Sequence, residues 1–244
     1  MPVERILILG GTGLAREAAD ALVMRGVHVV TSLAGVTRSP HLPQGEIRAG
    51  GFGGVDGLTA FLRADTFDCV VDATHPFAAQ MAAHAAVACT RAGVKLLRLE
   101  PAPWQAQKGD QWRSVASVAA GVEAIPRGAK VAVTVGRKEI GAFFARADLS
   151  GIARMIEPPD VNVPEAWELM LERPPFTLAA EIDLLRANQV EILVSKNAGG
   201  ARAAKLDAAA ALSLPVIMVA RPLKPVVDSV ATVPELLGRL GLPG

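Results

Sequence analysis

The sequence predicts an α/β fold of two domains with parallel sheets, and three observations predict it. Short apolar runs alternate with helical patterns along almost the whole chain. The first run, Ile6-Leu7-Ile8-Leu9, ends in a glycine-rich turn and passes at once into an Ala- and Leu-rich helical pattern. The alternation then breaks over 100–113, where Pro101, Pro103, Trp104, Gly109 and Trp112 interrupt helical periodicity, and resumes at Lys130. The break divides the chain into a first domain over 1–113, with its linker at about 100–113, and a second over 114–244. Both are expected to be Rossmann-like, with a cleft between them.

Composition narrows the class. A chain of 244 residues that is 51% hydrophobic and 20% charged can bury a substantial core. A net charge of +1 and the absence of a basic run argue against nucleic acid or a membrane surface as partner. The two cysteines, Cys69 and Cys89, form no C-x-x-C pair, so neither a disulfide framework nor a metal site is expected. No run approaches the about 18 apolar residues of a spanning helix. The N-terminus leads directly into the first strand, with no room for a signal peptide. A cytoplasmic location is expected.

The N-terminal stretch organises the rest. Four successive apolar residues read as a strand buried on both faces. Gly10, Gly11, Thr12 and Gly13 follow, and then a helix begins. The free N–H groups and positive dipole end of that helix form an anion site, and glycine lets a pyrophosphate approach the backbone. The spacing is G-G-T-G rather than G-x-G-x-x-G. Its place after a strand and before a helix is what the dinucleotide reading requires.

A second strand over 27–31 should end beside the adenosine ribose. No acidic residue occurs between Asp20 and Glu46. The segment instead offers Ser32 and Arg38, which fit a 2′-phosphate and favour NADP over NAD; an ordinary polar loop is the plainer reading of Arg38. The run 46–49 enters a second glycine cluster before a helix over about 55–64. The strand ending at Asp72 leads to Thr74, His75 and Pro76. Pro76 fits the first turn of a helix, with Thr74 or His75 near its cap. His75 lies at the carboxyl end of a parallel strand, where open sheets bind ligands. His84 reads as a packing or surface residue. A fifth strand covers 94–99.

The second half reads as a helix over 114–125, a strand over 131–135, a short helix through Phe143 and a strand over 152–156. Helices over about 165–171 and 178–188 follow, then a strand over 192–195 and a glycine turn over 196–200. That turn is expected to open a helix through Leu212. A strand over 216–220 and a helix near Pro234 close the pattern. Short edge strands near Trp112 and Val226 are candidates for pairing with either sheet. Strand ends at Gly10, Thr74, Thr134 and Ser195 are expected to converge on the cleft. Gly199 and Gly200 form a candidate anion nest, with Lys196 and Asn197 beside it. Lys196, Arg202, Lys205, Arg221 and Lys224 make the region locally basic against the single acid Asp207. A solvated helix face accounts for part of that charge.

The chain resembles the precorrin-6A reductase family of cobalamin biosynthesis. The matching pieces are Leu9-Gly10-Gly11-Thr12, Asp72-Ala73-Thr74-His75-Pro76-Phe77-Ala78, Thr134-Val135-Gly136-Arg137-Lys138, and Ser195-Lys196-Asn197 with Gly199-Gly200, joined by Lys205 and Arg221-Pro222. The Asp-Ala-Thr-His-Pro-Phe-Ala string is the most specific. Glu soon after Gly-Gly-Thr and Ser before the later Gly-Gly are common in the family; here those places hold residues of 13–15 and Ala198. The resemblance implies an NADPH-dependent reductase that adds hydride to one double bond of the precorrin-6A macrocycle, giving precorrin-6B. The substrate's carboxylates make Arg137, Lys138, Lys196, Asn197, Gly199 and Gly200 candidate binding residues. His75 and Lys196 are the candidates nearest the reacting centre, and water is an alternative proton source.

Two rival functions follow from the same residues. A short-chain dehydrogenase or epimerase shares the glycine opening but ordinarily needs a Tyr-x-x-x-Lys pair, and this chain has no tyrosine. A non-enzymatic NADP redox sensor would need no basic second domain.

Overall fold

The computed structural model describes residues 3–33 and 42–242. Its chain divides into two compact units. One comprises Met1–Ala102 together with Leu223–Gly244, and the other Pro103–Pro222. Each holds a six-stranded parallel sheet.

The first unit runs β1 (Arg5–Leu9), α1 (Gly13–Val23), β2 (His28–Leu33), β3 (Glu46–Ala49), α2 (Gly54–Ala64), β4 (Cys69–Asp72), α3 (Ala79–Ala92) and β5 (Lys95–Leu99). The second unit contributes β6 (Gln111–Val115), α4 (Val118–Ala124), β7 (Lys130–Thr134), α5 (Gly141–Phe144), β8 (Ser150–Met155) and β9 (Trp167–Leu171). It continues with α6 (Leu178–Ala187), β10 (Ile192–Lys196), α7 (Ala204–Ala211) and β11 (Pro215–Val219). The chain then returns to the first unit for β12 (Asp228–Val230) and α8 (Val233–Arg239).

The strand orders are β12-β5-β4-β1-β2-β3 and β6-β11-β10-β7-β8-β9. The first sheet starts from its central strand β1, and the second from its edge strand β6 before passing to the central β7; from β1 and from β7 each is built outward on one side, then crosses back to the other. The crossing points lie between β1 and β4 and between β7 and β10. β1 shows why such a strand must be uniformly apolar. Ile6 and Ile8 join the core under α1 and α8, whereas Leu7 and Leu9 join the core under α2 and α3. β7 repeats the arrangement, with Val131 and Val133 on one face and Ala132 on the other.

The structure corrects several expectations. The second domain does not run to residue 244, because Leu223–Gly244 belongs to the first unit. β12 pairs with β5, and Val233, Leu236, Leu237 and Leu240 pack into the core that also holds Ala15, Ala18, Ala19 and Leu22 of α1. The expected linker ends in β6, which pairs with β11 through Trp112. The expected helix over 114–125 is therefore shortened to α4, capped by the Ser117 hydroxyl, which accepts from Ala120 N at 3.1 Å. The segment expected as a helix over 165–171 is the edge strand β9. Pairing with β8 satisfies its backbone on one side, and Trp167 is buried in the core of the unit. α3 starts at Ala79, so Pro76 precedes the helix in a turn closed by Ala78 N donating to His75 O at 2.8 Å.

Leu236 is fully buried in the first unit's core although it lies beyond the whole of the second unit in sequence. Leu236→Ala should destabilise the first unit by about 2–5 kcal/mol, the range for a buried leucine truncation. Urea unfolding followed by hydrogen exchange, reporting on α1 and α8 amides, checks this. A loss confined to amides of the second unit would contradict the assignment.

Candidate active site

In the first unit the glycine turn leaves β1 at the crossing point. Gly10 N donates to Ser32 O at 2.9 Å, and a Cβ on Gly10 would come within 2.9 Å of Thr31 Cγ2, so the turn lies tight against β2. Gly11 has φ +113, a conformation L side chains avoid. A Cβ on Gly11 or Gly13 would meet nothing within 4 Å, so the face above the turn is open. The first turn of α1 carries no carboxylate. These features fit a pyrophosphate held by backbone N–H groups.

The Thr12 side chain holds the turn in place. Its hydroxyl accepts from Ala15 N at 3.0 Å, capping α1, and donates to Ala73 O at 2.9 Å. It thereby joins the β1 turn to the end of β4. There Asp72 is buried and accepts from Thr74 Oγ1 at 2.6 Å and Thr74 N at 3.3 Å. Its other oxygen accepts from Arg98 Nε at 3.2 Å. Arg98 Nη1 in turn donates to Pro225 O at 2.9 Å, on the returning segment. His75 is exposed, and its Nδ1 accepts from Phe77 N at 3.2 Å, which leaves the proton of the neutral ring on Nε2.

Arg38 lies outside the described residues. Arg48, which sequence reasoning passed over, stands beside Ser32. It is the register partner of Ser32 across β2 and β3, with Nη1 3.5 Å from Ser32 Oγ. Its guanidinium donates to Gly50 O and Gly51 O and stacks 3.9 Å from the Phe52 ring centroid. Ser32 is itself buried. The 16-residue separation hides this pairing in the sequence, because register across an edge strand is not a local signal.

In the second unit the corresponding edge holds Thr134, the turn over 136–139 and the loop over 196–203. Arg137 lies 3.7 Å from Glu157 and 3.9 Å from Asp160, and Lys138 is exposed. Lys196 Nζ bonds Glu139 Oε1 at 2.6 Å. The anion expected beside Lys196 is thus present within the chain. Gly199 and Gly200 have φ +73 and +78 but do not open a helix, because α7 begins at Ala204 with Ala203 as its N-cap. Asn197 clamps the linker: its Oδ1 accepts from Trp104 N at 2.8 Å and its Nδ2 donates to Trp104 O at 3.0 Å. The Trp104 indole donates to Gly200 O and Ala201 O, and Arg221 donates to Asn197 O and Ala198 O. Donors thus occupy the loop's carbonyls.

Lys205, in the first turn of α7, reaches the end of β7 and donates from Nζ to Thr134 Oγ1 at 2.7 Å. Thr134 Oγ1 lies 3.1 Å from Val194 O, to which it donates. Burial pushes the Lys205 ammonium down to about 8; Arg154 acts in the same direction and Glu181 opposes it. Arg202 is instead bound by Asp110 and Asp207. Burial works against the Asp110 carboxylate, but the bonds from Arg202 and from Gln107 N, with the Arg202 charge, together hold it below the usual range. Cys69 and Cys89 are free and buried, and burial pushes both thiols up to about 12, leaving them unreactive.

The family model described as Precorrin-6x reductase CbiJ/CobK matches residues 5–240. The chain belongs to the precorrin-6x reductase family. Precorrin-6A reductase of Rhodococcus erythropolis is 45% identical over 99% of this chain and 98% of its own. That of Rhodobacter capsulatus is 42% identical over 98% and 96%. Cobalt-precorrin-6A reductase of Priestia megaterium is 28% identical over 89% and 90%. A solved structure titled CobK precorrin-6A reductase superposes with a TM-score of 0.91 at 41% identity, covering 98% of this chain and 96% of that one. As a member of the family the protein is an oxidoreductase of cobalamin biosynthesis, and a reductase of this kind is consistent with a nicotinamide cofactor. Among the described residues no helix is long and apolar enough to cross a membrane.

The Asn197 clamp predicts a stability effect at a position first read as substrate-binding. Asn197→Ala removes two hydrogen bonds to the Trp104 backbone and should cost about 1–3 kcal/mol. Chemical denaturation measures it, and an unchanged midpoint would show the clamp to be energetically idle.

Proposed function

We propose that the protein reduces precorrin-6A to precorrin-6B with NADPH, the cofactor bound by the first unit and the tetrapyrrole by the second. Family membership over residues 5–240 carries this reading. Identities of 45% and 42% to precorrin-6A reductases, against 28% to a cobalt-precorrin-6A reductase, favour the cobalt-free macrocycle. The cofactor supplies a hydride from its dihydronicotinamide ring.

The residues divide this work. Gly10, Gly11 and Gly13 let the pyrophosphate approach the head of α1, while Thr12 holds that turn against β4. Thr74 and His75, at the end of β4, border the same crossing point. Ser32 and Arg48 lie where the adenosine ribose of a dinucleotide rests, at the end of the second strand. A guanidinium there, with no nearby carboxylate to accept a ribose hydroxyl, favours a 2′-phosphate and therefore NADP. In the second unit the exposed Arg137 and Lys138, the backbone of Gly199 and Gly200, and Lys196 are the groups offered to macrocycle carboxylates. Lys196 would exchange Glu139 for a substrate carboxylate, or hold both.

Anaerobic incubation with precorrin-6A and NADPH, following loss of nicotinamide absorbance and the product's mass, tests the activity. An increase of two hydrogens in the macrocycle is expected; unchanged precorrin-6A would refute the reading. The cofactor assignment has its own test. Arg48→Ala should raise KM for NADPH by about 10- to 100-fold, the equivalent of a lost charged hydrogen bond, and leave KM for NADH nearly unchanged. Equal losses for both cofactors would remove Arg48 from 2′-phosphate recognition.

A further inference from the structure

We propose that Lys205 is the proton donor of the reduction, giving a proton from Nζ to the macrocycle carbon next to the one that receives hydride. The inference rests on the tetrapyrrole reductase reading above. Addition of hydride to a carbon–carbon double bond leaves an electron pair on the neighbouring carbon. A new C–H bond must form there, and some N–H or O–H bond must break. With Lys205 as donor, the Nζ–H bond breaks and a neutral amine remains. Water then reprotonates it. The sum is substrate, NADPH and one proton giving the reduced macrocycle and NADP⁺.

Position is the first support. Thr134 ends β7 and Lys205 reaches it from α7, so the ammonium stands at the crossing point between β7 and β10, where open parallel sheets take their ligands. The second support is what surrounds the ammonium. Lys196 is bonded to the Glu139 carboxylate, an anionic partner. Lys205 is bonded to a neutral hydroxyl whose own proton goes to Val194 O. The charge of Arg154, on β8, acts against the ammonium. Glu181 on α6 would offset that charge, but both of its oxygens are bonded to Arg154, at 2.6 and 2.9 Å. Asp207, on the same helix as Lys205, is bonded to Arg202. Burial, with Arg154 acting in the same direction and Glu181 against it, is what lets the proton leave easily. A pKa of about 8 keeps Lys205 protonated at neutral pH while leaving it a competent acid. A residue serving only to anchor carboxylates gains nothing from that loss of basicity.

The test combines a pH profile with substitutions and a binding readout. For the wild-type protein kcat should be level below neutrality and fall above a pH of about 8. A solvent deuterium isotope effect should accompany the single-turnover rate. Lys205→Gln should lower kcat by about 10²- to 10⁴-fold and abolish the alkaline limb. Its affinity for the tetrapyrrole, titrated by absorbance without NADPH, should be retained. Lys205→Arg keeps the charge but holds its proton too tightly, so it should bind and remain slow. Thr134→Val removes the hydroxyl that favours the ammonium and should move the limb to lower pH. That shift tests the proposal even if the Lys205 variants fail to fold.

Full kcat with weakened tetrapyrrole binding in Lys205→Gln would make the residue an anchor and overturn the proposal. A wild-type rate in Lys205→Arg, or an alkaline limb unmoved by Thr134→Val, would overturn it as well. Failure of the wild-type protein to reduce precorrin-6A is a separate outcome, and it would remove the functional reading together with this one.

Discussion

The structure depends on a constraint of parallel sheets: every strand leaves its sheet at the same edge. The helices that return the chain must cover one face or the other, and where the direction of building reverses, neighbouring strands send their chains to opposite faces. Neither helix then covers the gap between them. β1 and β4 create that gap in the first unit, and β7 and β10 create it in the second. The glycines of the first turn, the Thr12 bond to Ala73, the Asp72–Thr74 turn and the Lys205–Thr134 contact all lie at such a point. Backbone and polar groups are left uncovered there, while the strands behind them are fixed by apolar packing on both faces.

The cations of the second unit divide by partner. Arg154 is held by Glu181 on both nitrogens and stacks 4.0 Å from the Phe176 ring centroid. Arg202 ties the turn at Asp110 to the start of α7, and Arg221 bonds two carbonyls of the loop over 197–201. These bonds fix the geometry of the segments they join. Breaking a buried pair of this kind leaves an uncompensated charge, which is why such residues fix loop geometry. The basic composition of residues 195–224 therefore overstates the charge offered to a ligand. Much of it is neutralised internally, and Lys205 differs because its partner is a hydroxyl.

Local chemistry explains which features were legible in the sequence. The buried strands of both sheets stood out because residues such as Ile6 to Leu9 are apolar at every position, which only a doubly covered strand permits. The glycine turn and the Asp72 to Ala78 string were equally local. β9 was not legible, because Trp167-Glu168-Leu169-Met170-Leu171 favours a helix by propensity and becomes a strand only by pairing with β8. Arg48 was hidden for a related reason: its neighbour Ser32 is set by register. Asn197 and Lys196 were correctly placed at a strand end, but their partners Trp104 and Glu139 are distant in sequence, so the structural use of their side chains could not be read.

Of the return of residues 223–242, only a short edge strand near Val226, open to pairing with either sheet, was legible in the sequence; the cause of the return lies in sheet architecture. Each sheet has an outermost position on the side built last, next to β5 in one unit and next to β11 in the other. The second sheet fills that position with β6, a strand that precedes the rest of its unit in sequence. Nothing at the end of the second unit is then required to fill it. The chain is free to go back, and β12 takes the vacant edge beside β5. The returning segment is anchored on the first unit by Lys224 bonding Glu100 and by Arg98 bonding Pro225 O. Both anchors are set around the carboxyl end of β5, where Arg98 also holds Asp72. The same arginine therefore secures the end of the chain and the turn that carries Thr74. Strand order and site geometry in the first unit are thus joined through one buried guanidinium.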